Sequence, residues 1–149
     1  TDIRIPQLQK SQYKIPKNVR YITNNLYSDQ PDGLSGNEDC GQMSSWYIFS
    51  SMGFYPVNPS NGAYVFGSPL FDQVDLNLGN GKSMKIIAEN NSDTNIYIQQ
   101  VTLNGAEHKY SYITHKDLVQ GGVLRFVMGS TPNLDFGKDH KYRPKSMVY

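Results

Sequence analysis

The sequence predicts a mainly β chain, with two short N-terminal helices followed by an antiparallel β-sandwich. Three observations support this fold class. Apolar residues recur at helical spacing up to residue 53, the period changes to two from residue 63, and Asn-Gly pairs separate the later apolar runs. A chain of 149 residues is long enough to bury one stable core.

A first helix is predicted over residues 16–28. Pro16 suits its first turn, where the missing N–H costs nothing. Three apolar residues then recur on one face of this helix: Val19, Ile22 and Leu26. Proline and glycine break the pattern over residues 29–36. Residues 1–15 show no period, and we expect a loosely held lead-in there.

A second helix is predicted over residues 42–52, and Gly53 ends it. Its apolar stripe is rich in aromatic residues and consists of Met43, Trp46, Tyr47 and Phe54. Two helices cannot close a core around this stripe, so we expect it to pack on further helices or on the β-domain. Trp46 and Tyr47 could also offer a flat stacking face to a ligand, although core packing is favoured.

From residue 63 apolar residues alternate with polar ones, as in half-buried strands. The clearest runs are Val74, Leu76 and Leu78, then Met84, Ile86 and Ala88, and finally Leu124, Phe126 and Met128. Asn-Gly pairs at residues 80–81 and 104–105 indicate turns. A change of parity between Ile98 and Val101 predicts a bulge near residues 99–100.

Two smaller elements are predicted before the last strand. A short strand is expected near residues 109–112. Thr114 then suits the cap of a brief helical turn through Leu118, and Gly121 ends that turn. Short strands joined by glycine turns are typical of a sandwich.

Composition argues against several functional classes. A formal net charge of +1 gives no electrostatic basis for binding nucleic acid. The single cysteine, Cys40, cannot form an internal disulfide or a zinc cluster of cysteine ligands. No apolar run approaches the roughly 20 residues that cross a bilayer, so no membrane span is predicted.

The candidate site lies in residues 33–47, which read GLSGNEDCGQMSSWY. Glu38 and Asp39 lie in a glycine-rich loop just before the second helix, where the helix N-terminus favours ionised carboxylates. Gln42, at the helix start, could reach a substrate hydroxyl with its amide. The residues leave two interpretations open, a functional site or an acidic helix cap, and the cap is favoured on the residues alone.

The same stretch resembles the signature of the glycoside hydrolase family 92 α-mannosidases. The similarity continues through FSSMGFYPVNPSNGAYVFGSPLFDQV, IYIQQVTLNG, YITH and GGVLRFVMGSTPN, and covers about residues 19–137. Members of this family are much longer, so the chain resembles their C-terminal end. Thr1 in place of methionine suits a processed fragment.

This resemblance implies a domain organisation. Residues 1–60, including the loop 29–41, would be the last helices of an (α/α)6 catalytic barrel. Residues 61–137 would form the antiparallel β-sandwich, and residues 138–149 a tail. The remainder of the barrel would then be a partner of this chain.

The resemblance also implies a reaction: calcium-dependent, inverting hydrolysis of α-mannosides, with mannose-containing glycans as substrates. Asp39 matches the carboxylate regarded as the general base, close to the calcium ion. The general acid is a glutamate further upstream in the family, and no residue here matches it. We therefore expect the isolated chain to be inactive. The family further implies an extracytoplasmic location: periplasmic, surface or secreted.

The resemblance gives lesser roles to three neighbours of Asp39. Asn37 stands where some members carry aspartate, and an amide can orient water or substrate but cannot act as a base. Glu38 and Gln42 are orienting candidates, and Glu38 is a weaker calcium ligand than Asp39. Because calcium needs six to eight oxygens, Asp39 would supply only part of the calcium site.

A second hypothesis is non-catalytic. Residues 63–137 could form a carbohydrate-binding or purely structural β-sandwich module. A binding module should present a ladder of aromatic residues on one solvent face. Tyr97, Tyr110 and Tyr112 are the candidates, although aromatic residues on strands more often fill cores and edges.

Overall fold

A computed structural model describes residues 14–145, within which three α-helices and eight strands are found. The helices are α1 (Lys14–Asn25), α2 (Gln42–Ser51) and α3 (His115–Gln120). The strands are β1 (Phe54–Asn58), β2 (Ala63–Phe66), β3 (Gln73–Asn77), β4 (Ser83–Glu89), β5 (Tyr97–Leu103), β6 (Ala106–Glu107), β7 (Tyr112–Thr114) and β8 (Gly122–Gly129). Most of the predicted lead-in (residues 1–13) and the end of the predicted tail (residues 146–149) lie outside the described residues.

The strands form two sheets, which confirms the predicted fold class. One sheet has the order β1-β2-β7 and is antiparallel. The other has the order β3-β4-β8-β5-β6, and its central pair β4/β8 is parallel while its other pairs are antiparallel. A parallel pair needs a long crossover, and here β5, β6, β7 and α3 lie between the two partners.

The core lies between the sheets. Alternate side chains of β4 and β8 are buried, as their period of two predicts: Met84, Ile86, Ala88, Leu124, Phe126 and Met128. Phe66 of β2 meets Phe126 of β8 edge-on, with ring centroids 5.1 Å apart. Burying a side chain of this size stabilises the fold by roughly 1.5–3 kcal/mol before entropy is counted. These contacts join the inner faces of the two sheets.

The predicted bulge on β5 is confirmed, because the register with β8 shifts between Ile98 and Gln100. The short strand predicted near residues 109–112 lies slightly later in the chain, at Tyr112–Thr114. Asn104 and Gly105 both have positive φ, at 52° and 82°, and make a tight turn from β5 into β6. The following residues cross to the other sheet, where β7 begins only at Tyr112.

The two predicted N-terminal helices are both present, but their bounds and buried residues differ from the prediction. The first begins two residues earlier than predicted and ends three residues earlier. Its most buried residues are polar, Arg20 (6% exposed) and Thr23, rather than its apolar stripe. The second matches to within one residue. Phe54 does not belong to a helical stripe: it lies on β1 and reaches the core from there.

The chain around residue 60 and the segment after residue 137 both contact the sheets. The predicted domain boundary between residues 60 and 61 lies between β1 and β2, and these two strands pair with each other. The Tyr142 carbonyl accepts a hydrogen bond of 2.8 Å from the Ser111 N–H, just before β7. Arg143 donates to the Gly137 carbonyl at 2.7 Å.

In residues 14–145, no helix is long and apolar enough to cross a membrane.

We expect Thr114→Val to lower the free energy of unfolding by about 1 kcal/mol. The Thr114 hydroxyl oxygen accepts a hydrogen bond of 3.1 Å from the Asp117 N–H in the first turn of α3, and valine keeps the shape without the acceptor. Urea denaturation measures the difference. Thr131→Val removes an exposed hydroxyl outside any helix as a control, and equal losses in the two variants would contradict the cap.

Candidate active site

The loop after α1 is closed on itself before the candidate residues begin. Tyr27 and Leu34 form an isolated antiparallel bridge, and the Ser28 N–H donates to the Gly33 carbonyl at 3.0 Å. A Cβ on Gly33 would lie 2.1 Å from the Ser28 carbonyl oxygen. Only a glycine therefore allows the backbone of residue 33 to come this close to Ser28.

The candidate carboxylates lie at a single 3-10 turn, Asp39–Gly41, that leads directly into α2. Gly41 has the left-handed φ that a glycine allows (75°), and Cys40 has φ 56° and ψ 24°. A non-glycine residue in this region costs roughly 1–3 kcal/mol and persists only where its surroundings hold it. The chain therefore reverses sharply between Asp39 and the helix.

The two neighbouring carboxylates have different environments. Both oxygens of Glu38 lie 3.1 Å from the backbone nitrogen of Ser44, in the first turn of α2. The acidic-cap interpretation thus describes Glu38. The Asp39 side chain is exposed and makes no hydrogen bond or ion pair with residues 14–145. Its own carbonyl accepts from the Gln42 N–H, which fixes the backbone around it.

The other two candidates lie beside Asp39 on the same exposed surface. The side chains of Asn37 and Gln42 are solvent-exposed, and neither makes a hydrogen bond within the described part of the chain. Their amides are therefore available to a ligand that approaches Asp39. The structure places Asn37, Asp39 and Gln42 on one short stretch and leaves all three polar groups open.

An aromatic cluster of Tyr27, Trp46 and Tyr47 supports the base of this loop. The Tyr27 ring stacks on Trp46, with centroids 6.0 Å apart and an interplanar angle of 11°, and contacts Tyr47 at 4.7 Å. The Tyr27 hydroxyl donates to the Met43 carbonyl at 3.1 Å. Burial raises the pKa of Tyr27, and the nearby negative charge of Glu38 acts in the same direction. Trp46 and Tyr47 are thus used in packing, the role that the sequence favoured.

Sequence reasoning missed Tyr27 and Arg20. Both residues lie within the helix predicted over residues 16–28, and neither a tyrosine nor a lone arginine there gives a sign of its partners. Arg20 donates to the Ser68 hydroxyl at 3.0 Å and also contacts the Pro69 carbonyl and the Asn91 side chain. Burial lowers its pKa, against the opposing effects of Asp93 and Asp72. This arginine fastens α1 to the sandwich.

The described residues provide few ligands for a calcium ion. Within residues 14–145 there is no group of three or more His, Cys, Asp and Glu side chains that could hold a metal ion. A calcium ion needs six to eight oxygens at 2.3–2.6 Å. Asp39, Asn37 and Glu38 together could offer only part of that set. These residues alone do not fit a complete calcium site.

The aromatic ladder proposed for a binding module is not formed. Tyr97 lies on β5 in the five-stranded sheet, whereas Tyr112 lies on β7 in the other sheet. Tyr110 meets Tyr112 edge-on at 5.5 Å and Tyr142 edge-on at 5.4 Å. These rings pack on one another instead of presenting parallel flat faces to solvent.

A cleft of about 230 Å³ lies away from the candidate loop, beside β5 and β6. Its polar lining includes Gln99, Gln100, Glu107, His108, Lys109 and Tyr142. Glu107 and Lys109 form an exposed ion pair of 3.5 Å. The cleft is smaller than the roughly 300–1,000 Å³ of typical ligand pockets.

The sequence and the fold were compared with known proteins. Residues 7–130 match the family model described as "Glycosyl hydrolase family 92 catalytic domain". An uncharacterized secreted glycosidase of Arthroderma benhamiae is 32% identical over 106 residues, which are 69% of this chain and 14% of that protein. The chain therefore spans about a seventh of this relative.

Solved structures agree with the sequence match. A family GH92 α-mannosidase from Bacteroides thetaiotaomicron superposes with a TM-score of 0.87 and 40% identity, over 94% of this chain and 19% of that one. The same enzyme in complex with mannoimidazole gives a TM-score of 0.86. An inverting mannosidase of the family from that organism gives 0.83 and 41% identity, over 91% of this chain and 18% of that one. The chain belongs to glycoside hydrolase family 92.

Proposed function

We propose that this chain is the C-terminal portion of an inverting exo-α-mannosidase that removes α-linked mannose from glycans, and that Asp39 is its general base. The observation that carries the proposal is the exposed Asp39 carboxylate, which has no partner in residues 14–145 although its backbone is fixed in a tight turn. Family membership and the relatives named as mannosidases support the substrate class.

In this reaction a water molecule attacks the anomeric carbon as the glycosidic C–O bond breaks. Asp39 takes a proton from the water, and an acid on the opposite face gives a proton to the leaving oxygen. The two carboxyl groups of an inverting pair lie roughly 6.5–9.5 Å apart. Glu38 adjoins Asp39 in the chain and both of its oxygens face Ser44. We therefore expect the acid to come from the remainder of the barrel.

Asn37 and Gln42 orient the reacting groups in this proposal. Their amides are exposed on either side of Asp39. An amide both donates and accepts hydrogen bonds, so each can hold a sugar hydroxyl or the attacking water. Neither can take up a proton near neutral pH, which leaves the base role to Asp39 alone.

The remaining assignments also belong to the proposal. Residues 1–60 would complete the catalytic barrel, residues 61–137 would form the sandwich and residues 138–149 the tail. Calcium in the full-length enzyme would bind sugar hydroxyls, with Asp39 as one ligand or water-mediated contact. The name of the A. benhamiae relative, a secreted glycosidase, supports an extracytoplasmic location.

A second candidate function is a carbohydrate-binding module, and the cleft beside β5 favours it. The Gln100 amide in this cleft makes no hydrogen bond within the described residues, so it is free to meet a sugar hydroxyl. The charges of Glu107 and Lys109 cancel, which suits a neutral ligand. The absence of an aromatic ladder in the described chain counts against this function.

Calorimetry and hydrolysis assays on the 149-residue chain separate the two functions. We expect no mannose release from p-nitrophenyl α-mannoside, because the acid partner is missing, and no saturable heat on titration with mannose or manno-oligosaccharides. Binding that weakens in Gln100→Ala would instead establish the module. Hydrolysis by the chain alone would contradict the need for a second carboxyl group from elsewhere.

A further inference from the structure

We propose that Glu38 is a positioning residue: it fixes the direction of Asp39 by anchoring the turn to α2, and it does not act as a ligand of substrate or calcium. This inference rests on the proposed function for its catalytic consequence. The geometry that supports it belongs to this chain alone. It therefore separates Glu38 from Asn37 and Gln42, whose side chains remain open.

The first observation is the helix contact. The Ser44 N–H lies 3.1 Å from each of the two Glu38 carboxylate oxygens. Ser44 is the third residue of α2, and the first amides of a helix have no acceptor within the helix. The N-cap residue is Gly41, which makes no side-chain cap. Glu38 supplies the missing acceptor, and its negative charge is favourable at this end of the helix.

The second observation is that Glu38 also closes the turn through its backbone. Its carbonyl accepts a hydrogen bond of 3.2 Å from the Gly41 N–H. Its side chain and its carbonyl therefore reach two points of the chain beyond Asp39. Asp39 lies inside the loop that these two contacts close, together with the left-handed Cys40.

The third observation is the backbone conformation of Cys40. A non-glycine residue with φ 56° persists only where its surroundings determine it. Cys40 is exposed, so packing of its side chain does not supply the constraint. The contacts of Glu38 with Gly41 and Ser44 span Cys40, as does the hydrogen bond from the Gln42 N–H to the Asp39 carbonyl. Among these contacts only the one with Ser44 is made by a side chain, the Glu38 carboxylate. Without the carboxylate the turn can relax, and the exposed Asp39 would turn with it.

The test compares Glu38→Ala with Glu38→Gln in the full-length, calcium-loaded enzyme. We expect Glu38→Ala to lower kcat by about 30-fold to 100-fold, because a displacement of about 1 Å costs on the order of 10² in rate. KM and the calcium concentration for half-maximal activity stay unchanged. Glu38→Gln retains an acceptor oxygen for Ser44, so we expect it to recover most of the lost rate.

Two outcomes would overturn the positioning role. If Glu38 were a ligand of substrate or calcium, Glu38→Gln would raise KM, or the calcium requirement, as strongly as Glu38→Ala does. An unchanged kcat in Glu38→Ala would show that the turn holds Asp39 without this carboxylate. Asp32→Ala is the matched control, since Asp32 is an exposed carboxylate earlier in the same loop.

A second measurement uses the 149-residue chain and needs no activity. Hydrogen exchange at Ser44 should become several-fold faster in Glu38→Ala, whereas Asp39→Asn should leave it unchanged. A Ser44 exchange rate that does not change in Glu38→Ala would overturn the cap even if the enzyme is active. Loss of the mannosidase assignment, by contrast, would leave this exchange result as it is.

Discussion

Asp39→Asn is expected to lower kcat of the proposed full-length mannosidase by about 10³-fold, within the range of 10² to 10⁴ that proton transfer contributes to catalysis. The amide keeps the size and polarity of the carboxylate but cannot accept the proton of the attacking water. Because Asp39 lies exposed on its turn, the substitution leaves the fold intact, and KM should change little. Steady-state kinetics on an α-mannoside, with and without a calcium chelator, measure the effect.

Asp29→Asn and Asp32→Asn are matched controls, because both carboxylates are exposed on the loop that precedes Asp39. We expect each to retain nearly full turnover. Unchanged turnover in Asp39→Asn would remove Asp39 from the mechanism. The first anomer released from an α-mannoside gives a second check: inversion produces β-mannose, and α-mannose would contradict the proposed reaction.

The fold could be predicted where the signal is local. The alternation in β4 and β8, the bulge on β5 and the Thr114 cap each depend on residues a few positions apart, and each is seen in the structure. The parallel pairing of β4 with β8 could not be predicted, because periodicity does not say which strands are neighbours. The position of β7 was missed for a related reason: residues 106–107 pair with β5 as β6, and the chain then crosses to the other sheet before β7 begins at Tyr112.

The candidate site could be predicted only as a stretch of sequence. Glycines and carboxylates before a helix indicated the loop, but they could not say which of Glu38 and Asp39 caps the helix. That choice depends on the left-handed backbone of Cys40, which a non-glycine residue rarely adopts. Because the chain reverses there, Glu38 faces Ser44 and Asp39 faces solvent. The catalytic role of Asp39 stays a prediction.

Arg20→Met is expected to lower the free energy of unfolding of this chain by about 3 kcal/mol, since hydrogen bonds of a charged group contribute roughly 1.5–3 kcal/mol each. Arg20 is 6% exposed and donates to Ser68, to the Pro69 carbonyl and to Asn91. Methionine fills much of the same space, so the loss arises from the buried acceptors left without a donor. Urea denaturation followed by the fluorescence of Trp46, the only tryptophan, measures it.

The control is the same substitution at an exposed position. Arg125 pairs with Glu89 at 3.3 Å, with both side chains substantially exposed, and such pairs contribute about 0–1 kcal/mol. A loss in Arg20→Met no larger than in Arg125→Met would show that the arginine does not hold α1 on the sandwich. If it does hold α1, hydrogen exchange should accelerate most in α1. The stacking of Tyr27 on Trp46 should also weaken in Arg20→Met, because Tyr27 lies two residues after the end of α1. The stability of the sandwich and the geometry of the Asp39 loop would then be linked through a single buried guanidinium.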